Sequence, residues 1–408
     1  MIGAPHELRY DAPAHVCAWL ARALLASPLT VDALQRAQEL GPLIEASAAE
    51  TEATGRLAPA LAAELANAGF FRLLLPGWLN GPQLDPPTFV RVVEQLARID
   101  ASTAWVVCQT SGCSMIAAYL PRDLAKMMFG PADGVLAWGP PVAATAHAVP
   151  GGWDVSGTWG FLSGCHHATW VGGACLAASL DGASEEERTF LCPINEVQLL
   201  DRWRVLGLRG TGSDSFSLAS AFVPAERAPR RDHPADRTDA SSLYRFHTTQ
   251  LFSAGFAGVA LGIARALLND LLAVATAKQP RGARSTLRDD AAFQLQLGRW
   301  EARLRAARAL LLTTIDDVWQ VVSMTNEELT PRQRVDIRLA ASHASAEARD
   351  VGTAAFHAAG SSAIFTTQGA ERRLRDLLTL GQQVQARDDH FQTAGRSLLG
   401  LPTNSPFV

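Results

Sequence analysis

Apolar and polar positions along the 408 residues change period twice. From about Thr30 to Leu120 the spacing is helical, and Leu57, Leu61 and Leu65 recur at i, i+4 and i+8 to make one apolar stripe. Pro76, Pro82, Pro86 and Pro87 mark a loop, and a helix is predicted over Thr88 to Arg98, with Asp100 and Ser102 as caps for the next one. From about Gly134 the pattern becomes short alternating runs of aromatic and β-branched residues. Turns stand at Pro140-Pro141, Pro150-Gly151-Gly152 and Gly210-Thr211-Gly212. This reads as a small β-barrel or sandwich.

From about Ser241 the helical period returns. Gly255, Gly258 and Gly262 form a small-residue stripe on one helix. Further helices are predicted from Asp289 to Val322, from Arg332 to Ala358 and from Gly369 onward, which together suit a four-helix bundle. The expected organisation is mainly α with a central β domain: helical residues 1–133, β residues 134–240 and a helical bundle at 241–408.

Within the β region, GGWDVSGTWGFLSGCHHATW stands out. Trp153, Val155, Gly157, Trp159, Phe161 and Ser163 fall on alternate positions and, on a strand, would share one face. That face would be an aromatic wall ending in a hydroxyl beside a glycine, suited to a planar heterocycle; a ligand-free buried strand has the same pattern.

Composition narrows the function. Hydrophobic content of 48% and charged content of 19% suit a large core. A net charge of −4 disfavours nucleic acid or an anionic membrane as main partner. The six cysteines form no CxxC pair, which suits a reduced, cytoplasmic setting. The N-terminal MIGAPHELRYDAP has no signal-peptide pattern, and the apolar stretch Leu251 to Ala264 falls short of the ~20 residues that span a bilayer. No G-x-S-x-G elbow is present, and Gly207 to Gly212 lacks the lysine of a P-loop and the context of a dinucleotide fingerprint. Cys165, His166 and His167 are adjacent, so on a strand they point to opposite faces; no metal site is expected.

The chain resembles the acyl-CoA dehydrogenase-like flavoproteins, in the branch of two-component reduced-flavin-dependent monooxygenases. The likeness rests on the Gly151–Trp170 motif, on WRVLGLRGTGSDSFSLASAFVP (Trp203–Pro224), on AAGSSAIF and on ERRLRD, in the family's order. It implies an oxygenase component that uses reduced FMN or FAD and O2, through a C4a-hydroperoxide, to hydroxylate an aromatic or phenolic small molecule. A separate NAD(P)H-dependent reductase would supply the flavin, and the assembly would be a homotetramer. By the resemblance Ser163 sits at flavin N5, Trp159 and Phe161 pack on the isoalloxazine, and the backbone of Trp138 and Gly139 meets its pyrimidine edge. Arg281 and Arg284 reach flavin phosphate, Gly360, Ser361 and Ser362 touch the flavin tail of a neighbouring subunit, and His390 acts on substrate or peroxide.

The dehydrogenase branch uses a glutamate that removes an α-proton. Here Gly381-Gln382-Gln383 stands in its place and LLTLGQQVQARDDHF contains no Glu. N- or S-oxygenation by the same intermediate, a dehydrogenase or oxidase with Asp388 or Asp389 as base, and a scaffold without flavin remain alternatives. Trp105, Gln109, Phe246 and His247 are candidate pocket residues.

Overall fold

The computed structural model describes residues 28–408 except 181, 183, 367, 368, 404, 406 and 408. The N-terminal stretch read for a leader, and Cys17, lie outside the described residues.

Among the described residues six α-helices come first: α1 (Pro28–Glu39), α2 (Gly41–Thr54), α3 (Pro59–Asn67), α4 (Pro86–Ala97), α5 (Ala101–Ser114) and α6 (Arg122–Phe129). Local chemistry sets their starts. Asp85 accepts from the Thr88 amide at 2.8 Å to cap α4, with prolines in the first turn. Asp100 accepts from the Thr103 amide at 2.8 Å and caps α5; Ser102 lies inside that helix. Every residue of α5 is buried, so this helix is an inner rod.

Seven strands follow: β1 (Leu136–Gly139), β2 (Pro141–Val149), β3 (Gly152–Leu162), β4 (Trp170–Ala178), β5 (Glu185–Pro193), β6 (Gln198–Leu200) and β7 (Asp214–Pro224). They form one sheet in the order β1-β4-β2-β3-β7-β6, with β5 added on β4. Within β3 the register shifts twice against β7, between Val155 and Gly157 and between Trp159 and Leu162. Each shift is a bulge that re-aims the following side chains.

The C-terminal helices are α7 (Thr248–Ala277), α8 (Ala291–Thr325), α9 (Pro331–Ala359), α10 (Ala370–Leu380) and α11 (Asp389–Leu398). By length and composition α7 could cross a membrane, but it is the buried central helix of the bundle. Its glycine stripe meets α4: a Cβ at Gly262 would stand 2.4 Å from the Glu94 carbonyl, and one at Gly258 3.0 Å from that of Val90. Buried Glu94 then pairs with Arg308 of α8 at 2.8 Å and with Arg98 at 2.7 Å, tying α4 to the bundle.

Gly173 on β4 packs against the face of Trp159, where a Cβ would come within 2.5 Å of the indole. Trp159 cannot retreat, because its other face stacks on Phe216 at 4.8 Å and its Nε1 donates to the Ala174 carbonyl at 2.9 Å. Gly173→Ala is therefore expected to cost about 1–3 kcal/mol through overpacking. Gly298→Ala, on an exposed part of α8 with nothing near its Cβ, should be neutral or stabilising by up to about 1 kcal/mol. Urea-unfolding midpoints of the two variants check the pair.

Candidate functional site

The second bulge of β3 decides the site. Trp159 and Phe161 do not share a face. Trp159 has 0% exposure and belongs to the core, whereas Phe161 is 65% exposed. The aromatic wall expected from strict alternation is thus not built, because the register shift between Trp159 and Leu162 breaks the period of two. Phe161 also has φ of 61°, a left-handed conformation that a bulky residue adopts only under constraint. Its ring meets Trp203 edge-on at 6.1 Å. Of the two aromatics, Phe161 is the one whose ring is open.

Gly139 brings β1 to the same place. A Cβ there would stand 1.9 Å from the Gly160 carbonyl, so only glycine lets the end of β1 touch the strand just before Phe161. The Trp138 side chain is engaged elsewhere: Arg231 lies over its ring at 4.5 Å and Phe252 meets it edge-on.

Ser163 follows the bulge and is buried. Trp105 Nε1 donates to its Oγ at 2.8 Å, and Ser213 Oγ lies 2.7 Å away. Ser213 Oγ is in turn 2.6 Å from Thr211 Oγ1, which donates to the Leu208 carbonyl at 2.8 Å. Each hydroxyl has a single proton, so one order of donation follows wherever Thr211 spends its own on the Leu208 carbonyl. Thr211 gives its proton to Leu208, so Ser213 must donate to Thr211. Ser213 then has none left, so Ser163 must donate to Ser213. The Ser163 oxygen takes one lone pair's worth of bonding from Trp105 and keeps one acceptor position open.

Two carboxylates hold the loop that carries Thr211 and Ser213. Asp214 accepts from the Arg202 and Trp203 amides at 2.7 and 2.8 Å and pairs with His166 at 2.7 Å. Buried Asp376, the last residue of ERRLRD, accepts from the Leu208 amide at 2.6 Å. Burial, aided by the charges of Asp100 and Glu52 and opposed by the Leu208 N–H, raises its pKa to about 7.

Cys165, His166 and Asp214 do lie together, within 4.8 Å of one another, because the chain leaves the strand in a 3-10 turn over Cys165–His167. All three are engaged: the Cys165 thiol donates to the Gly212 carbonyl, and burial pushes it up to about 12, far from a metal-binding thiolate. His167 stacks on Phe71 beside a cavity of about 540 Å³, and burial pulls its pKa down to about 4.

His390 is buried at the start of α11. Its Nε2 lies 2.7 Å from the Val384 carbonyl, so Nε2 carries the proton and Nδ1 is the free acceptor. Its pKa is lowered, first by burial and then by the Arg338 charge, which together outweigh the opposing effects of the Val384 carbonyl and Asp389. No contact joins Ser163 to His390 among the described residues. What links their surroundings is α7. Phe256 stacks on Trp105 at 4.1 Å, Phe252 stacks on Phe256 at 5.7 Å, and Thr249, on the same helical face, bonds Arg338 next to His390.

Arg281 and Arg284 are exposed in the connection after α7. Gly360, Ser361 and Ser362 open a 3-10 turn after α9, with Gly360 at φ 58°. The two segments are neighbours, since Lys278 Nζ donates to the Ala359 carbonyl. Of the other pocket candidates, Gln109 lies one turn from Trp105, while Phe246 is fully buried against Trp319 and His247 caps α7. The sequence reading missed Thr211, Ser213, Asp376 and Arg338. The first two stood inside the quoted WRVLGLRGTGSDSFSLASAFVP segment and Asp376 inside ERRLRD; nothing marked Arg338.

The chemistry of these residues fits a flavin: an open aromatic ring, a buried hydroxyl two residues further along the chain, and close backbone at Gly139. Residues 38–126 match the acyl-CoA dehydrogenase N-terminal domain and residues 254–387 the acyl-CoA dehydrogenase C-terminal domain. The chain is 27% identical over 343 residues to an indole-3-acetate monooxygenase of Acinetobacter baumannii, covering 83% of this chain and 86% of that protein. It is 29% identical over 389 residues to the flavin-dependent monooxygenase oxygenase subunit HsaA of Mycobacterium tuberculosis, covering 90% and 95%. The structure of XiaF from Streptomyces, in complex with FADH2 and glycerol, superposes with a TM-score of 0.86 at 22% identity, over 96% of this chain and 99% of that one, and shares the fold. The chain belongs to the acyl-CoA dehydrogenase-like superfamily, in its branch of two-component flavin-dependent monooxygenases.

The Asp376 pKa sets a stability trend. The folded protein holds this proton up to about pH 7, whereas the unfolded chain releases it near the ordinary 3.8. The contribution to stability is therefore largest below pH 4 and falls as pH rises to 7, by a few kcal/mol at most. Asp376→Asn keeps an acceptor for Leu208 and removes the titration. Its unfolding free energy, measured from pH 4 to 8, should fall less with pH than that of the wild type.

Proposed function

We propose that the chain is the oxygenase component of a two-component flavin-dependent monooxygenase that hydroxylates an aromatic, phenolic small molecule with O2 and reduced FMN or FAD. The observation that carries this reading is the Thr211–Ser213–Ser163 relay, which, with Thr211 donating to Leu208, leaves an acceptor on Ser163 two residues along the chain from the open ring of Phe161. Reduced flavin bears an N–H at N5 where the oxidised ring has only an acceptor, so Ser163 matches the reduced form. When bound, reduced flavin supplies the two electrons that activate dioxygen.

The other roles are assigned to this chain's residues as follows. Phe161, with Trp203 at its edge, covers the flavin, and the backbone at Trp138 and Gly139 takes its pyrimidine side. Trp159 supports β3 from the core and does not touch the cofactor. Arg281 and Arg284 bind phosphate, and the Gly360–Ser361–Ser362 turn meets the flavin tail across a subunit boundary in a homotetramer. Exposed Ile364 and Phe365 beside that turn support a covered surface there. Trp105, Phe252 and Phe256 exclude water. Neutral His390 takes the phenolic proton at Nδ1. A separate NAD(P)H-dependent reductase delivers the flavin, and the five cysteines among the described residues, all free and buried, suit the cytoplasm.

The test is anaerobic titration of the protein with reduced and oxidised FMN and FAD. Wild type should bind one reduced flavin at least tenfold tighter than its oxidised form. Ser213→Ala frees the Ser163 proton to point at the ring. Oxidised flavin should then bind more tightly and the preference should shrink by roughly 2- to 12-fold, the worth of one hydrogen bond. Tighter binding of oxidised flavin by the wild type would falsify the assignment.

A further inference from the structure

Asp376 of α10 is 2% exposed and forms no ion pair among the described residues. Its Oδ1 accepts from the Leu208 amide at 2.6 Å, across 168 residues of chain. The contact is closely built. A Cβ at Gly207 would stand 2.2 Å from the Arg375 carbonyl and 2.5 Å from the Asp376 nitrogen, so only glycine lets this loop touch the α10 backbone. On the far side of Gly207, Arg375 Nη1 donates to the Leu206 carbonyl at 2.8 Å. Leu208 has φ of 54°, a left-handed conformation that a side-chain-bearing residue keeps only when its surroundings hold it there. The end of ERRLRD supplies that hold.

Leu208 is also where the hydroxyl relay ends. Its carbonyl accepts from Thr211 Oγ1 at 2.8 Å and from the Thr211 amide at 3.2 Å. Ser213 and Ser163 follow at 2.6 and 2.7 Å. A buried carboxyl group thus grips the residue toward which all three hydroxyl protons point. A negative charge at that end favours this direction, because hydroxyl dipoles turn their protons toward an anion and a low-dielectric interior strengthens the effect.

We propose that Asp376 is a positioning residue for Ser163: it fixes Leu208 as the last acceptor of the relay and, as a carboxylate, draws the three hydroxyl protons toward Leu208, which leaves Ser163 an acceptor for reduced flavin. The proposal rests on the oxygenase reading above and adds a pH dependence to it. Burial, opposed by the Leu208 N–H and aided by the charges of Asp100 on α5 and Glu52 on α2, places the ionisation of Asp376 at about 7, with Arg372 of its own helix pulling the other way. Glu52 is itself paired with Arg375 at 2.8 Å and Arg209 at 3.6 Å, and His166 with Asp214 stands beside Ser213. Above pH 7 the carboxylate aligns the relay; below it the neutral acid holds Leu208 but exerts no charge.

The readout is the ratio of dissociation constants for oxidised and reduced FMN and FAD, measured anaerobically on the full chain at pH 6 and pH 8. Asp376→Asn keeps an acceptor for Leu208 and carries no charge. Thr211→Val cuts the relay at its first hydroxyl, and Ser213→Ala cuts it at the second. The wild-type ratio divided by that of each variant should grow roughly threefold or more from pH 6 to pH 8, part of the worth of one hydrogen bond. Free flavin, His166 and Asp214 are the same in all four proteins, so what they add cancels. An Asp376 that only supported the fold would weaken both flavin forms together and leave the quotient flat. Each variant that folds decides. The proposal is overturned if the quotient against any one of them stays flat or falls with pH. A flat quotient with reduced flavin bound defeats the role of Asp376 alone; a wild type that binds no reduced flavin at either pH defeats the oxygenase reading.

Discussion

The close approach of α7 to α4 is the constraint on which the site depends. Gly255, Gly258 and Gly262 let the two backbones meet, with a would-be Cβ at Gly255 only 2.6 Å from Cys108 of α5 and one at Gly262 only 2.4 Å from a carbonyl of α4. That contact sets how deep α7 sits. Its aromatic side then puts Phe256 on Trp105, and Trp105 on Ser163. Its first turn puts Thr249 on Arg338. One buried helix therefore sets the position of a hydroxyl from the sheet and of a guanidinium from the bundle, although the two make no contact. In close-packed interiors a shift of a few tenths of an ångström at the glycines would be felt at both ends.

Charge is arranged around this rod so that the reactive groups are held neutral or singly oriented. Asp214 and Asp376 spend their oxygens on loop amides, which fixes the backbone that carries Thr211 and Ser213. His390 gives its only proton to a carbonyl and is kept from gaining a second by burial and by Arg338. Arg338 is buried and, among the described residues, meets only the neutral acceptors of Phe407, Gln385 and Thr249. Such a group costs desolvation energy that its present partners repay only in part.

Much of the architecture was legible in the chain. The glycine stripe, the Asp100 cap, the long bundle helices and the run of short strands follow from local spacing and capping chemistry, which depend on residues within a few positions of one another. Ser163 and His390 were legible as candidates through motif order. The relative standing of Trp159 and Phe161 was not, because alternation assumes an unbroken ladder and β3 carries two bulges. The His390 environment was not legible, because the largest charge acting on it comes from Arg338, far away in sequence.

By itself, then, the sequence determined the kinds of elements, their order, and the absence of a glutamate after ERRLRD, since these are properties of neighbours along the chain. Only the tertiary structure decided which aromatic faces outward, that hydroxyls link Ser163 to Leu208, and that a guanidinium from α9 closes on residue 407. Each of these depends on groups dozens to hundreds of residues apart, whose meeting is set by packing and not by any local pattern.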